Sequence, residues 1–205
     1  MEEYLTVKQT FRTEVVIERS RFIATVCRTE NADQANAFIE SIKKEFPDAT
    51  HHPYAFITER GGYAKSSDDG EPSGTGGLPV LEAIKGAGIV DACVVVTRYF
   101  GGVKLGTGGL VRAYGGAASA AIKGAGTIKR CLCRICSVKL PYDKQNLFPK
   151  ITSEIGKILN VDYLDRIVFD FVIKKSSFDG FSASFKDALK GKIDITVKGE
   201  DYFDV

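Results

Sequence analysis

The sequence predicts an α+β protein of two domains, and two observations support this prediction. Seventeen of the 21 glycines lie between Gly61 and Gly126, so the glycine content falls sharply towards the C-terminus. Along the whole chain, hydrophobic periods typical of strands alternate with periods typical of helices. We therefore expect a glycine-rich N-terminal domain over residues 1–128 and a second domain over residues 134–205.

The N-terminal domain is predicted to contain six strands and three helices. The strands are expected at residues 4–7, 13–18, 20–28, 53–59, 63–67 and 91–97, and the helices at residues 32–46, 79–86 and 108–123. Residues 91–97 form a continuous apolar run, which is typical of a buried central strand. Asn31 is expected to cap the first helix, with Gln34 completing a capping box.

The C-terminal domain is predicted to follow the order βαββαβ. Strands are expected at residues 132–140, 160–164, 166–174 and 193–197, and helices at residues 143–156 and 178–189. Asp143 is expected to cap the first of these helices and Gly191 to end the second. This order of elements is typical of a ferredoxin-like fold.

Composition predicts a cytoplasmic protein without a membrane segment or secretory signal, and a monomer is compatible with it. Hydrophobic residues make up 44% of the chain and charged residues 26%, as in ordinary globular proteins. The net charge of +2 implies no general attraction to polyanions, but residues 92–142 contain eight cations and no carboxylate. Such a segment can focus a positive potential, unless acidic residues elsewhere neutralise it.

The cysteines and histidines do not predict a metal site, and no cofactor is expected. Cys131, Cys133 and Cys136 lie in a predicted strand, whose alternation places Cys136 on the face opposite the other two. We expect reduced structural thiols. His51 and His52 are adjacent and point to opposite faces, so they cannot jointly chelate one ion. Either histidine is a candidate partner for an aspartate across the following hairpin.

The first glycine-rich segment, residues 66–77, contains the carboxylates Asp68, Asp69 and Glu71. We expect these residues to form an acidic surface turn. Such a cluster can hold a hard cation, bind a basic partner or supply a carboxyl of raised pKa. The sequence also has ordinary turn chemistry, and a turn without metal is favoured.

The second glycine-rich segment, residues 97–109, leads from the predicted central strand into a helix and is the stronger functional signal. Free amides at a helix N-terminus, close backbone approach at glycine and nearby cations together favour phosphate. The spacing matches neither a Walker loop nor a dinucleotide fingerprint. The alternative is a tight turn without a ligand. The candidate anion or nucleic-acid site comprises Arg98, Gly101, Gly102, Lys104, Gly106, Thr107, Gly108, Gly109 and Arg112.

Four blocks of sequence resemble the signature blocks of the IMPACT family, including its bacterial, two-domain YigZ-type branch. They are residues 20–24 (SRFIA), 52–56 (HPYAF), 68–75 (DDGEPSGT) and 94–114 (VVVTRYFGGVKLGTGGLVRAY). The resemblance implies an N-terminal domain like the second domain of ribosomal protein S5. It also implies a ferredoxin-like domain similar to the last domain of elongation factor G.

For bacterial members the resemblance implies an association with RNA or the ribosome rather than an established reaction. By motif position, the expected surface comprises Asp68, Asp69, Glu71, Arg98, Lys104 and Arg112. We therefore predict a cytosolic, non-catalytic factor that contacts RNA or a ribosome-associated protein and modulates translation. The alternatives are an enzyme that binds a phosphorylated substrate or nucleotide through residues 101–109, and a protein-interaction module.

Overall fold

The computed structural model describes residues 1–152, 155–189 and 194–204 and shows an α+β protein. The chain forms two compact units. We call Tyr4–Lys129 the glycine-rich unit, and Met1–Glu3 together with Arg130–Val205 the C-terminal unit. Among the described residues, no helix combines the length and apolar character needed to span a membrane.

The glycine-rich unit is built on a five-stranded antiparallel sheet. Its strands are β2 (Phe11–Ile17), β3 (Ser20–Arg28), β4 (Tyr54–Thr58), β5 (Tyr63–Ser67) and β6 (Ala92–Tyr99), and they follow β1 (Glu3–Val7). Their spatial order is β2-β3-β6-β4-β5. Seven of the eight residues of β6 are buried, which confirms the predicted central strand.

Three helices cover the two faces of this sheet. They are α1 (Ala32–Glu45), α2 (Gly77–Gly86) and α3 (Gly106–Ala125). Helix α1 packs its Ile39 and Ile42 on one face, whereas α2 and α3 share a core with the opposite face. The Asn31 side chain accepts a hydrogen bond from the Gln34 amide at 2.9 Å, as predicted. The Gln34 side chain reaches back to the amide of Glu30 rather than of Asn31.

The topology brings both glycine-rich segments to one edge of the sheet. Strands β5 and β6 are each antiparallel to β4, so they run parallel to each other and end at the same edge. The first segment connects β5 to α2, and the second connects β6 to α3. Both helices therefore begin near this edge.

The C-terminal unit has the predicted βαββαβ order. Its elements are β7 (Thr127–Leu140), α4 (Leu147–Thr152), β8 (Gly156–Tyr163), β9 (Ile167–Lys174), α5 (Phe178–Ala188) and β10 (Ile195–Asp204). The strands are antiparallel in the spatial order β10-β7-β9-β8. Phenylalanines of both helices pack on one face of this sheet. The predicted boundary, residues 129–133, lies within β7.

The predicted helix 143–156 was wrong in its extent. A 3₁₀ turn occupies Tyr142–Lys144, and α4 begins only at Leu147, so Asp143 does not cap it. Proline explains the difference, because it is tolerated in the first turn of a helix but breaks the helix interior. Pro149 lies in the first turn of α4. In a helix that began at residue 143, the same proline would lie in the interior. Residues 153 and 154 of the predicted helix lie outside the described residues.

Two strand predictions also differ from the structure. Strand β8 begins at Gly156 rather than at residue 160, and a Cβ atom at Gly156 would lie 2.4 Å from the Val172 carbonyl oxygen. Only glycine allows so close a strand pair. Strand β10 extends to Asp204 because it pairs along β7 as far as Arg130. The predicted helix stop at Gly191 and the strand residue Ile193 lie outside the described residues.

Candidate functional site

The two glycine-rich segments meet at a buried carboxylate. Glu71 is only 8% exposed, and its Oε1 accepts hydrogen bonds from Arg98 Nη1 and the Tyr114 hydroxyl, each at 2.6 Å. Burial and donation to Glu71 raise the pKa of Tyr114, so the phenol stays protonated. The expected surface position of Glu71 is therefore wrong. Arg98 lies in the buried strand β6 and Tyr114 in the core, and both groups require a buried polar partner.

Asp68 caps the N-terminus of α2. Its two carboxylate oxygens accept hydrogen bonds from the amides of Gly74, Gly76 and Gly77 at 2.8, 2.9 and 2.8 Å. Burial raises the pKa of Asp68, but the three amide donors outweigh that effect, so the pKa is lowered. Gly76 and Gly77 are themselves buried. The anion site that a helix N-terminus offers is thus already filled at α2.

Asp69 joins the turn to α1 and to the histidine pair. Its Oδ2 accepts the His52 amide at 2.8 Å, and its Oδ1 pairs with Lys43 Nζ at 3.0 Å. Burial opposes ionisation of Asp69, but the His52 amide and Lys43 together lower its pKa. The His52 ring lies beside Asp69, with Nδ1 3.7 Å from Oδ2, but the hydrogen bond to the aspartate comes from the His52 backbone amide rather than from the predicted side-chain pairing. The three carboxylates of the turn therefore have separate partners and do not converge.

The N-terminus of α3 is open. Leu105 precedes the helix without a side-chain cap, and the first turn contains no acidic residue. Gly106, Thr107 and Gly108 are exposed. A helix N-terminus carries unsatisfied amide donors and a partial positive charge. The first turn of α3 is therefore exposed, and its amides are of the kind that can donate hydrogen bonds to an anion.

Two of the three predicted cations are available at this turn. Lys104 and Arg112 are exposed, and neither has a carboxylate partner within the described parts of the chain. Arg112 Nη1 lies 3.6 Å from the position that a Cβ atom on Gly108 would occupy. Arg98, by contrast, is 5% exposed and paired with Glu71. Arg98 Nη1 is therefore paired with an internal carboxylate, and the contact of Arg98 with an external anion stays a prediction.

The glycines of this segment have different roles. A Cβ atom at Gly101 would lie 2.1 Å from the carbonyl carbon of Arg19, so Gly101 permits a close approach of two backbones. Gly102 and Gly106 have positive φ angles. Gly108 has neither a positive φ nor a neighbour other than the flexible Arg112. Close packing thus explains Gly101, and positive φ angles explain Gly102 and Gly106. Neither reason applies to Gly108, which leaves the helix backbone uncovered.

Sequence reasoning missed the packing partners of the turn and one exposed aromatic residue. Tyr114 was not singled out from the sequence, although a buried tyrosine hydroxyl usually finds a hydrogen-bond partner. Phe100 is 47% exposed directly after the buried strand β6. The signal for Phe100 is its position in the sequence, directly after the apolar run and before two glycines.

The cysteines have the predicted arrangement. Cys131 and Cys133 pack with Val172, whereas Cys136 belongs to the core beneath the helices. All five cysteines are free thiols, and burial raises the pKa of Cys136 to about 11. Over the described ranges, no group of three His, Cys, Asp or Glu side chains is placed to hold a metal ion.

Comparison with known proteins places these features in a family. The model of the Impact N-terminal domain matches residues 18–122, which include both glycine-rich segments. The chain is 38% identical to the IMPACT family member YvyE of Bacillus subtilis (strain 168) over 95% of this chain and 91% of that relative. It is 34% identical to the IMPACT family member YigZ of Escherichia coli (strain K12) over 87% and 90% of the two chains.

A solved structure shares this architecture. The crystal structure of a hypothetical protein superposes with a TM-score of 0.65 and is 32% identical in sequence. The match covers 98% of this chain and 100% of that one.

Proposed function

Because the chain belongs to the IMPACT family, we propose that it is a cytosolic, non-catalytic factor that binds RNA, alone or on the ribosome, and thereby modulates translation. We propose that the glycine-rich unit has the fold of the second domain of ribosomal protein S5. The C-terminal unit, with strand order β10-β7-β9-β8, would then be the ferredoxin-like domain. RNA contact is assigned to the N-terminus of α3.

One observation carries this proposal: the N-terminus of α3 is exposed, has no cap from Leu105, and lies between two cations that have no carboxylate partner among the described residues. Lys104 precedes the helix, and Arg112 lies six residues after its first residue, beside Gly108. A phosphate at this position receives backbone hydrogen bonds, the favourable end of the helix dipole and two charges. Residues 92–142 contribute no acidic side chain that would repel it.

The same geometry makes a nucleotide-dependent enzyme the weaker hypothesis. Such an enzyme needs a carboxylate that can hold magnesium or accept a proton near the phosphate. Asp68 is engaged by three amides, Asp69 by Lys43 and Glu71 by Arg98. An interaction module that uses the acidic turn is weakened for the same reason, because these carboxylates already have partners within the unit.

The test is the salt dependence of RNA binding, measured by filter binding at two salt concentrations. Binding through phosphates weakens steeply as salt rises. The double variant Lys104→Ala/Arg112→Ala should bind more weakly, and the slope of log affinity against log salt should fall by roughly 1 for each phosphate that is no longer neutralised. An unchanged slope in this variant, or salt-independent binding, would contradict the proposal.

Lys123→Ala is the matched control. Lys123 is exposed in the last turn of the same helix, roughly 25 Å from the N-terminus at 1.5 Å per residue. It removes one positive charge without touching the proposed site. We expect its effect on RNA affinity to be much smaller than that of the Lys104→Ala/Arg112→Ala variant. Thermal-shift measurements with magnesium and nucleotides test the enzyme hypothesis, which predicts stabilisation by one of them.

A further inference from the structure

Phe100 is an exposed aromatic side chain in the connection that leads to the proposed phosphate site. It is 47% exposed and directly follows β6, six residues before the start of α3. Six residues of extended chain span at most about 20 Å, which a few nucleotides of single-stranded RNA can bridge. Val103 in the same connection is 36% exposed, so apolar surface borders the cations.

The backbone that carries Phe100 is fixed from both sides. The Phe100 amide donates to Thr50 Oγ1 at 3.1 Å, and the Gly101 amide donates to Ser20 Oγ at 3.1 Å. Gly101 also packs directly against the backbone of Arg19. The ring therefore projects from a rigid position, and little conformational entropy is lost when a ligand packs on it.

One face of the ring is already supported. The Arg98 guanidinium carbon lies 5.4 Å from the centroid of the Phe100 ring, and Arg98 is itself held by Glu71 at 2.6 Å. Arg98 Nε is buried and has no hydrogen-bond partner in the described parts of the chain. The buried guanidinium of Arg98 thus lies over the ring, and the exposed part of Phe100 is the surface that Arg98 does not cover.

From this arrangement we propose that Phe100 is a stacking platform for an unpaired base, so that the ligand class is single-stranded rather than double-stranded RNA. The inference rests on the proposed function, in which α3 holds the phosphates. Proteins that bind single strands combine a cationic surface with aromatic side chains on which bases stack. In a duplex both faces of each base are covered, and Phe100 would gain no partner.

The first experiment compares Phe100→Ala with the parent protein on three probes. These are an unstructured RNA of roughly 12 nucleotides, the same RNA in a duplex, and heparin, which has charge but no bases. We expect the parent to prefer the single strand. Phe100→Ala should lose roughly tenfold in affinity for the single strand, with little change for duplex and heparin and an unchanged salt slope.

The second experiment uses the absence of tryptophan from the chain. Phe100→Trp introduces the sole tryptophan, whose fluorescence should be quenched when a base stacks on it and should not be quenched by heparin. Tyr163→Trp is the matched control, because Tyr163 is 66% exposed in the C-terminal unit. It should show no quenching by RNA.

The outcomes separate the two proposals. One outcome is RNA binding that depends on salt, Lys104 and Arg112 but is unchanged in Phe100→Ala and causes no quenching in Phe100→Trp. This result would overturn the stacking platform and leave the proposed function standing. Equal affinity for single strand and duplex would also overturn the platform. The absence of any RNA binding would overturn both. Loss of single-strand affinity in Phe100→Ala, with affinity retained and fluorescence quenched in Phe100→Trp, would support the platform.

Discussion

The two glycine-rich segments begin at the same edge of one sheet. The first leads to a helix N-terminus that is capped and buried, which we call closed, and the second leads to one that is uncapped by Leu105 and exposed, which we call open. In the first, Asp68 fills the N-terminus of α2, and Gly76 and Gly77 are buried. In the second, Leu105 provides no side-chain cap for α3, and Gly106, Thr107 and Gly108 are exposed. The N-terminus of α2 thus binds the carboxylate of Asp68. At the N-terminus of α3 we propose that an anion from solution occupies the corresponding position.

This difference shows that similar composition supports two physical roles. A Cβ atom at Gly77 would lie 2.5 Å from the Ser67 carbonyl oxygen, so the first segment uses glycine for close packing. Gly108 has only a flexible arginine near it, although glycine in a helix costs about 1 kcal/mol relative to alanine. We infer that the first segment stabilises the fold and that the second exposes its backbone for binding.

The largest expected effect is the removal of the buried carboxylate that joins the segments. Glu71→Ala leaves the Arg98 charge buried without its partner, and breaking such a pair costs about 3–5 kcal/mol. We expect the free energy of unfolding of the glycine-rich unit to fall by this amount in urea denaturation. This result would confirm that the first segment has a structural role.

Two controls sharpen this prediction. Tyr114→Phe removes one hydrogen bond to Glu71 and keeps the ion pair, so it should cost only about 1 kcal/mol. Glu71→Leu/Arg98→Met removes both charges, and it should recover a large part of the lost stability. If Glu71→Ala cost no more than Tyr114→Phe, the buried ion pair would not stabilise the unit.

Much of the fold could be predicted from the sequence because its signals are local. The buried run of β6 and the cap at Asn31 each depend on neighbouring residues, and both were predicted. The late start of α4 depends on the position of Pro149 within one turn, which hydrophobic periodicity alone does not register. The length of β10 depends on pairing with β7, which is a long-range interaction.

The site was less predictable than the fold, because more of its contacts are long-range. The glycines, Lys104 and Arg112 are marked by composition and spacing. Whether a carboxylate is free depends on distant residues, since Glu71 meets Arg98 and Tyr114 only after the sheet and α3 have assembled. Asp68, Asp69 and Glu71 are similar in sequence context but differ in partner.

Loss of the internal cap should have an intermediate effect. Asp68→Ala leaves three amides at α2 without an acceptor, and we expect a loss of about 2 kcal/mol in the free energy of unfolding. The RNA affinity of the folded variant should stay within about twofold of the parent, because α3 is unchanged. A large loss of RNA affinity at full folding would show that the first segment also contacts the ligand.

The cap also predicts a pH dependence. The amide donors lower the pKa of Asp68 in the folded state below the value of about 3.9 for an unperturbed aspartate. Its stabilising contribution is therefore complete only above about pH 5, where the unfolded aspartate is ionised as well, and it is lost as the pH falls through the unfolded and then the lowered folded value. The stability difference between the parent and Asp68→Asn should be constant from pH 5 to 7 and should shrink below about pH 4. A difference that grew on acidification would contradict this.

The smallest effect on stability is the most informative, because one substitution would make the open segment resemble the closed one. Thr107→Asp places a carboxylate in the exposed first turn of α3, where an acidic side chain stabilises a helix by about 0.3–1 kcal/mol. The same charge occupies the proposed phosphate position. We therefore expect a slightly more stable protein that binds RNA roughly tenfold more weakly.

Thr107→Asn, similar in size but neutral, should retain most of the affinity. Because stability and binding move in opposite directions, misfolding cannot imitate the result, and a more stable Thr107→Asp protein with full RNA affinity would exclude α3 as the binding site.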